Sequence, residues 1–102
     1  MDIYLMEKQL KALADINRLT LLACLKNGEV CVCQFVDVLP ISQPAVSQHL
    51  RKLREAGMIT ERKTGIWKHV QLADELSPVV QAVINGLDAV SVCRCGAGDV
   101  TC

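Results

Sequence analysis

The stretch from Ser42 to Leu72, SQPAVSQHLRKLREAGMITERKTGIWKHVQL, changes its hydrophobic period midway, and this restricts the fold more than any other feature. Ser42 is suited to cap a helix, and Pro44 is tolerated in a first turn, where its missing N–H is not needed. Val46, Leu50 and Leu53 then recur at i, i+4 and i+7, giving that helix one buried stripe. Gly57 ends it. From Met58 the period shortens to two: Ile66, Val70 and Leu72 alternate with Lys68. Thr64-Gly65 sits between two strand-compatible runs, so the spacing predicts a two-stranded hairpin with its tip at Lys63 to Gly65.

Upstream the chain reads as three helices. The first spans Leu5 to Leu13. Asp15 caps a second, Ile16 to Lys26, with Leu19, Leu22 and Ala23 at helical spacing, and Asn27-Gly28 stops it. Glu29 to Leu39 gives a third, closed by Pro40. Downstream, Ser77-Pro78 starts a last helix in the favoured cap and first-position order, with Val80, Val83, Ile84 and Leu87 on one side. That side could be core or a dimer seam shared with the first helix; we favour the seam, because the central helices and the hairpin already supply a core. The order helix–helix–helix–helix–hairpin–helix is a winged helix-turn-helix layout, mainly α with a small β-hairpin and homodimeric. It covers residues 1–90 as a DNA-binding and dimerisation domain, followed by a cysteine-containing tail, 91–102. At 102 residues this is one domain, and with only Tyr4, Phe35 and Trp67 aromatic its core must be aliphatic.

A net charge of zero conceals a segregation. Residues 47–70 hold six basic side chains and two acidic ones, leaving five basic and nine acidic elsewhere. A local positive face of this kind neutralises phosphates, while the acidic remainder limits indiscriminate sticking. Gln43, Pro44, Ser47, Gln48, Arg51 and Lys52 lie opposite the Val46/Leu50/Leu53 stripe. Short polar groups near the start of such a helix suit base edges in a major groove, with Gln able to bond adenine, and Arg51 and Lys52 suit phosphates. His49 is read as a structural or phosphate-contacting group. On the hairpin, Arg62, Lys63, Thr64 and Lys68 are placed to reach a neighbouring groove or backbone. The bland alternative is a solvated amphipathic helix and hairpin. The helix by itself does not decide between the two, but the whole arrangement favours DNA.

Six cysteines stand at positions 24, 31, 33, 93, 95 and 102. No apolar run approaches the roughly 20 residues needed to span a bilayer, and MDIYLMEKQL lacks a signal-peptide layout, so we expect a cytoplasmic protein with no membrane partner. In a reducing compartment, clustered thiols point to metal binding or redox sensing rather than a disulfide framework. Thiolates prefer soft or borderline ions. Cys31 and Cys33 would point about 200° apart on a regular helix, so both can meet one ion only where the helix has not yet begun. Cys24, beside Leu21, Leu22 and Leu25, reads as inert packing.

ALADINRLTLL (Ala12 to Leu22), EVCVCQF (Glu29 to Phe35), SQPAVSQHLRKLREAGMI (Ser42 to Ile59) and RKTGIWKHVQL (Arg62 to Leu72) together make the chain resemble the ArsR/SmtB metalloregulatory repressors over nearly its full length. Cys31-Val32-Cys33 most resembles the arsenical-resistance type. The resemblance implies a homodimer on a roughly two-fold symmetric operator, released when arsenite or antimonite binds its cysteines. The best-known arsenical pattern carries a third cysteine on the same helix, and here Asp37 stands in its place. The third sulfur must then come from Cys93, Cys95 or Cys102, of the same or the partner subunit; alternatively those three form a complete site alone. The last-helix zinc or nickel site of other family members needs histidines that this chain lacks after His69.

Other functions remain to be weighed. Cadmium or lead could take Cys31 and Cys33 with two tail sulfurs. A thiol redox or persulfide sensor of the same fold needs only two of these cysteines. A metal carrier without a DNA role has no use for the Ser42 to Lys52 face. No Cys-X-X-Cys, nucleophile–base pair or phosphate loop points to an enzyme.

Overall fold

The computed structural model of the protein describes residues 2–92; Cys93, Cys95 and Cys102 lie outside the described residues. Helix α1, Ile3–Leu13, begins where the Asp2 carboxylate accepts from the Tyr4 amide. Helix α2, Ile16–Leu25, is capped as expected: Asp15 accepts from the amides of Asn17 at 2.8 Å and Arg18 at 3.1 Å. Partial burial works against the Asp15 charge, but these N–H bonds and the nearby Arg18 and His49 hold its carboxyl below the usual range.

The third helix departs from expectation. Val30–Cys31 is a short strand, β1, and α3 covers only Val32–Val38. The Glu29 to Leu39 reading missed β1 because a two-residue strand has no local period. It exists through a distant partner, with Val30 opposite Val70 and Cys31 opposite His69. Helix α4 spans Gln43–Glu55, with the Ser42 hydroxyl accepting from the Ala45 amide and proline in the first turn. It closes in a Schellman motif: the Met58 amide bonds the Leu53 carbonyl, the Gly57 amide bonds that of Arg54, and Gly57 takes φ +76°. A side chain at Gly57 would be strained there.

Strands β2, Ile59–Thr64, and β3, Trp67–Leu72, form the hairpin, with Thr64 opposite Trp67. Its tip is therefore Gly65-Ile66, slightly beyond the Lys63 to Gly65 expected. Gly65 supplies a positive φ of 62° at the first loop position, as a type II′ turn requires. Ile66, read as one of the alternating apolar residues, instead stands in the turn and is 91% exposed. With β1 the sheet has three strands in the order β1-β3-β2, so the wing strand β3 lies at its centre. Helix α5, Pro78–Gly86, starts at Ser77 and packs on α1.

Phe35 is fully buried among Leu21, Leu22, Leu25, Val46, Leu50, Leu53, Met58 and Val70, which makes the core aliphatic around a single aromatic ring. Val80 and Ile84 are buried in that same core. This corrects the assignment of the α5 stripe to a dimer seam: Val83 and Leu87 also pack against that core, partly buried, because the core extends across α5. Exposed apolar side chains also gather on α1, where Ile3 is 74%, Tyr4 78% and Leu10 48% exposed. Gln9, unremarked in the sequence, is buried between α1, α4 and α5. It donates to the Ala56 carbonyl at 3.2 Å and accepts from the Ser77 hydroxyl at 2.6 Å.

Candidate nucleic-acid interface and thiol pair

With Val46, Leu50 and Leu53 turned into the core, α4 must present its other side to solvent. Gln43, Pro44, Ser47, Gln48, Arg51 and Lys52 are all exposed there. Arg51 donates to Glu55 one turn later at 2.9 Å. That hydrogen bond, more than burial opposes it, holds the Glu55 carboxyl below its ordinary range. Lys52 forms no ion pair among the described residues. His49 stands apart from this face. It is half-buried, with Nδ1 at 3.3 Å from Nη1 of Arg18, whose guanidinium also donates to the carbonyls of Ala12 and Lys11. Arg18 thus ties the α1–α2 corner to the middle of α4.

The wing is organised differently. Arg62 grips Glu29 with two bonds, Nε to Oε2 at 2.8 Å and Nη2 to Oε1 at 2.6 Å, and its Nη1 donates to Thr64 Oγ1 at 2.7 Å. The hydrogen bonds from Arg62 outweigh desolvation and hold the Glu29 carboxyl below its usual range. Lys68 lies 3.6 Å from Glu61, which also pairs with Arg54 of α4 at 2.9 Å. Of the four hairpin residues expected to meet DNA, only Lys63 is without such an engagement among the described residues. Sequence reasoning named the cations but not their carboxylate partners, since pairs 33 residues apart, such as Glu29–Arg62, have no local signature.

Cys31 ends β1 and is the residue before α3, with extended backbone at φ −71° and ψ 136°. Cys33 sits in the first turn of α3. Because Cys31 is not helical, the 200° divergence does not arise, and the two Sγ atoms approach to 2.8 Å. Cys31 is only 4% exposed, while Cys33 is half-buried. Gln34 fixes the corner by accepting from the Cys31 amide at 3.2 Å, which leaves its buried Nε2 without a partner among the described residues. Among the described residues no third histidine, cysteine or carboxylate joins the pair in a metal-holding group. Cys24 is apart from them, fully buried, and burial pushes its thiol pKa up. It lines a cleft of about 170 Å³ with Asn27, Gly28, Glu29, Val30, Ser91 and Val92.

Residues 15–61, from the α2 cap to the start of the wing, match the model of the arsR family of bacterial regulatory proteins. The arsenical resistance operon repressor of Bacillus subtilis is 34% identical over 98 residues, covering 91% of this chain and 87% of that one. The chain belongs to the ArsR family. The arsenic resistance transcriptional regulator ArsR1 of Pseudomonas putida is 42% identical over 79 residues, 76% of this chain, although the match spans only 61% of that longer relative. Among solved structures, reduced HlyU from Vibrio cholerae superposes with a TM-score of 0.71 at 34% identity, covering 82% of this chain and 85% of that one. The winged helix-turn-helix architecture is therefore shared with known regulators. No helix among the described residues is long and apolar enough to cross a membrane.

Proposed function

We propose that this ArsR-family protein is a transcriptional repressor that binds operator DNA as a homodimer and lets go when As(III) or Sb(III) is captured by its cysteine thiolates. The observation that carries the reading is the 2.8 Å approach of the Cys31 and Cys33 sulfurs at the junction of β1 and α3. A pyramidal, thiophilic centre needs converging sulfurs, and a strand-to-helix corner supplies them where a helix cannot. Arsenious acid exchanges its three hydroxyls for three sulfurs and releases three waters, with no change of oxidation state. Cys93, Cys95 or Cys102 then provides the third sulfur. Alternatively, Cys93, Cys95 and Cys102 form a complete site by themselves.

DNA is read by Gln43, Pro44, Ser47 and Gln48 at the start of α4, with Arg51, Lys52 and Lys63 on phosphates. The exposed α1 residues Ile3, Tyr4 and Leu10, beside α5, form the dimer face. Capture of the ion deforms the first turn of α3, which packs on α4. Replacing Cys31→Ser together with Cys33→Ser should leave operator binding intact and abolish arsenite-driven release, followed by fluorescence anisotropy of a labelled operator. In the parent protein the loss of affinity should be about 5- to 150-fold, the usual range of allosteric coupling. A full response in the double variant would transfer the trigger to the three C-terminal cysteines.

The same separation favours a second reading, in which a peroxide oxidises Cys31 and Cys33. Two thiols would give up two protons and two electrons to form a disulfide, and the peroxide would become water. Release by arsenite under excess monothiol reductant distinguishes the two, since only metalloid capture survives those conditions.

A further inference from the structure

The thiol pair is not confined to the helix-turn-helix; its strand is part of the wing sheet. Cys31 faces His69, and His69 faces Arg62, so the three form one row across β1, β3 and β2. Directly opposite residues share a face of an antiparallel sheet, and Glu29 stands just ahead of β1, two residues before Cys31. From there its carboxylate reaches over His69, at 3.9 Å, to grip Arg62 in the two-bonded fork. Arg62 in turn holds Thr64, whose strand partner at the end of the wing is Trp67. A simple surface ion pair contributes little, but a planar guanidinium fixed by two parallel bonds adds geometric restraint.

We infer that Glu29 is a positioning residue that latches the wing to the strand carrying Cys31, so that thiol capture withdraws the wing from DNA as well as disturbing α4. This rests on the proposed capture by Cys31 and Cys33. The latch has two consequences. While closed it occupies Arg62, keeping that cation from a phosphate. When β1 moves, the carboxylate moves with it, and Arg62, Thr64 and the wing end follow. Capture disturbs α4 directly through α3; the sheet register supplies a second route, to the wing.

Trp67, the sole tryptophan, reports on the wing in the full-length protein without DNA. The probe is phenylarsine oxide, which condenses with two thiols and releases one water, so no third sulfur is required. Four proteins are compared: the parent, the Cys31→Ser/Cys33→Ser variant, Glu29→Gln, and the charge swap Glu29→Arg with Arg62→Glu. Capture is verified by mass at Cys31 and Cys33. The parent should change its Trp67 emission on capture, the serine variant should not, and Glu29→Gln should capture equally while losing more than about half of the change. The charge swap should restore it, which a generally weakened fold would not. Full transmission in Glu29→Gln with verified capture overturns the latch. If phenylarsine oxide does not react at Cys31 and Cys33, the proposed function fails. The latch is then decided without the probe, by the ligand-free salt dependence of operator binding. There Glu29→Gln should steepen the log–log slope by about 0.9, one added phosphate contact from the freed Arg62. An unchanged slope overturns it.

Discussion

On α4, Gln43, Ser47, Gln48 and Lys52 stand in solvent above a stripe that is almost wholly buried, whereas on the wing Arg62 and Lys68 are committed to Glu29 and Glu61. Both regions carry the charge expected of a DNA-binding surface. The helix presents these groups directly from the packing beneath it, with no carboxylate partner among the described residues holding them. The wing presents its cations subject to carboxylates, one of which lies two residues from Cys31. A regulator needs both kinds of surface: a fixed one to recognise its site and a conditional one to leave it.

The largest expected effect tests how the helix is fixed. Leu50→Ala removes a side chain from the buried stripe and should cost about 2–5 kcal/mol in urea unfolding, because the core closes only partly over the cavity. Ile66→Ala at the wing tip, where the side chain is 91% exposed, should change stability by less than about 0.5 kcal/mol. Comparable losses at the two positions would mean that the wing tip is packed in solution, and the contrast between the regions would fail.

That contrast also marks what the sequence could disclose. The α4 boundaries, the Asp15, Ser42 and Ser77 caps and the exposed face were legible because each depends on residues within one or two turns. The wing followed from its change of period and from Gly65. Three features were not legible: β1, the Glu29–Arg62 fork, and the burial of Val80 and Ile84. All three are long-range. Val30–Cys31 is a strand only because Val70 and His69 lie beside it, and its sequence suits the start of a helix equally well. The error at β1 mattered for chemistry, since a helical Cys31 would have turned its sulfur away from Cys33. The sequence reading allowed for a start not yet helical, but had no means of supplying a strand there.

A smaller effect separates reading from grip on α4 itself. Gln43→Ala should relax preference at one operator position by about 1–3 kcal/mol, measured as the affinity ratio between the operator and a single-base variant. Lys52→Ala should weaken binding to both sequences alike and flatten the log–log salt slope by about 0.9. If Gln43→Ala leaves the ratio unchanged, base reading starts further along the helix, at Ser47 or Gln48. Arg51 should behave as a weaker version of Lys52, because its guanidinium is already shared with Glu55.

The smallest effect is the most informative about the wing. Glu61 is the mostly buried carboxylate between Arg54 of α4 and Lys68 of β3, so it both joins α4 to the wing and masks a cation in each. Glu61→Gln should cost about 1 kcal/mol of stability or less, since both cations it pairs with are more than two-fifths exposed and screened by solvent. Its effect on DNA has an opposing pair of causes. Freed cations favour phosphates at any sequence, while a looser junction between α4 and the wing lowers the precision with which both dock. The exposure of Arg54 and Lys68, each above two-fifths, makes the first cause dominant. Non-specific affinity should therefore rise at low salt and the slope should steepen, with operator preference narrowed only slightly. A fall in affinity for every sequence would show that Glu61 aligns the wing rather than masks it, and that the conditional surface is confined to the Glu29–Arg62 side.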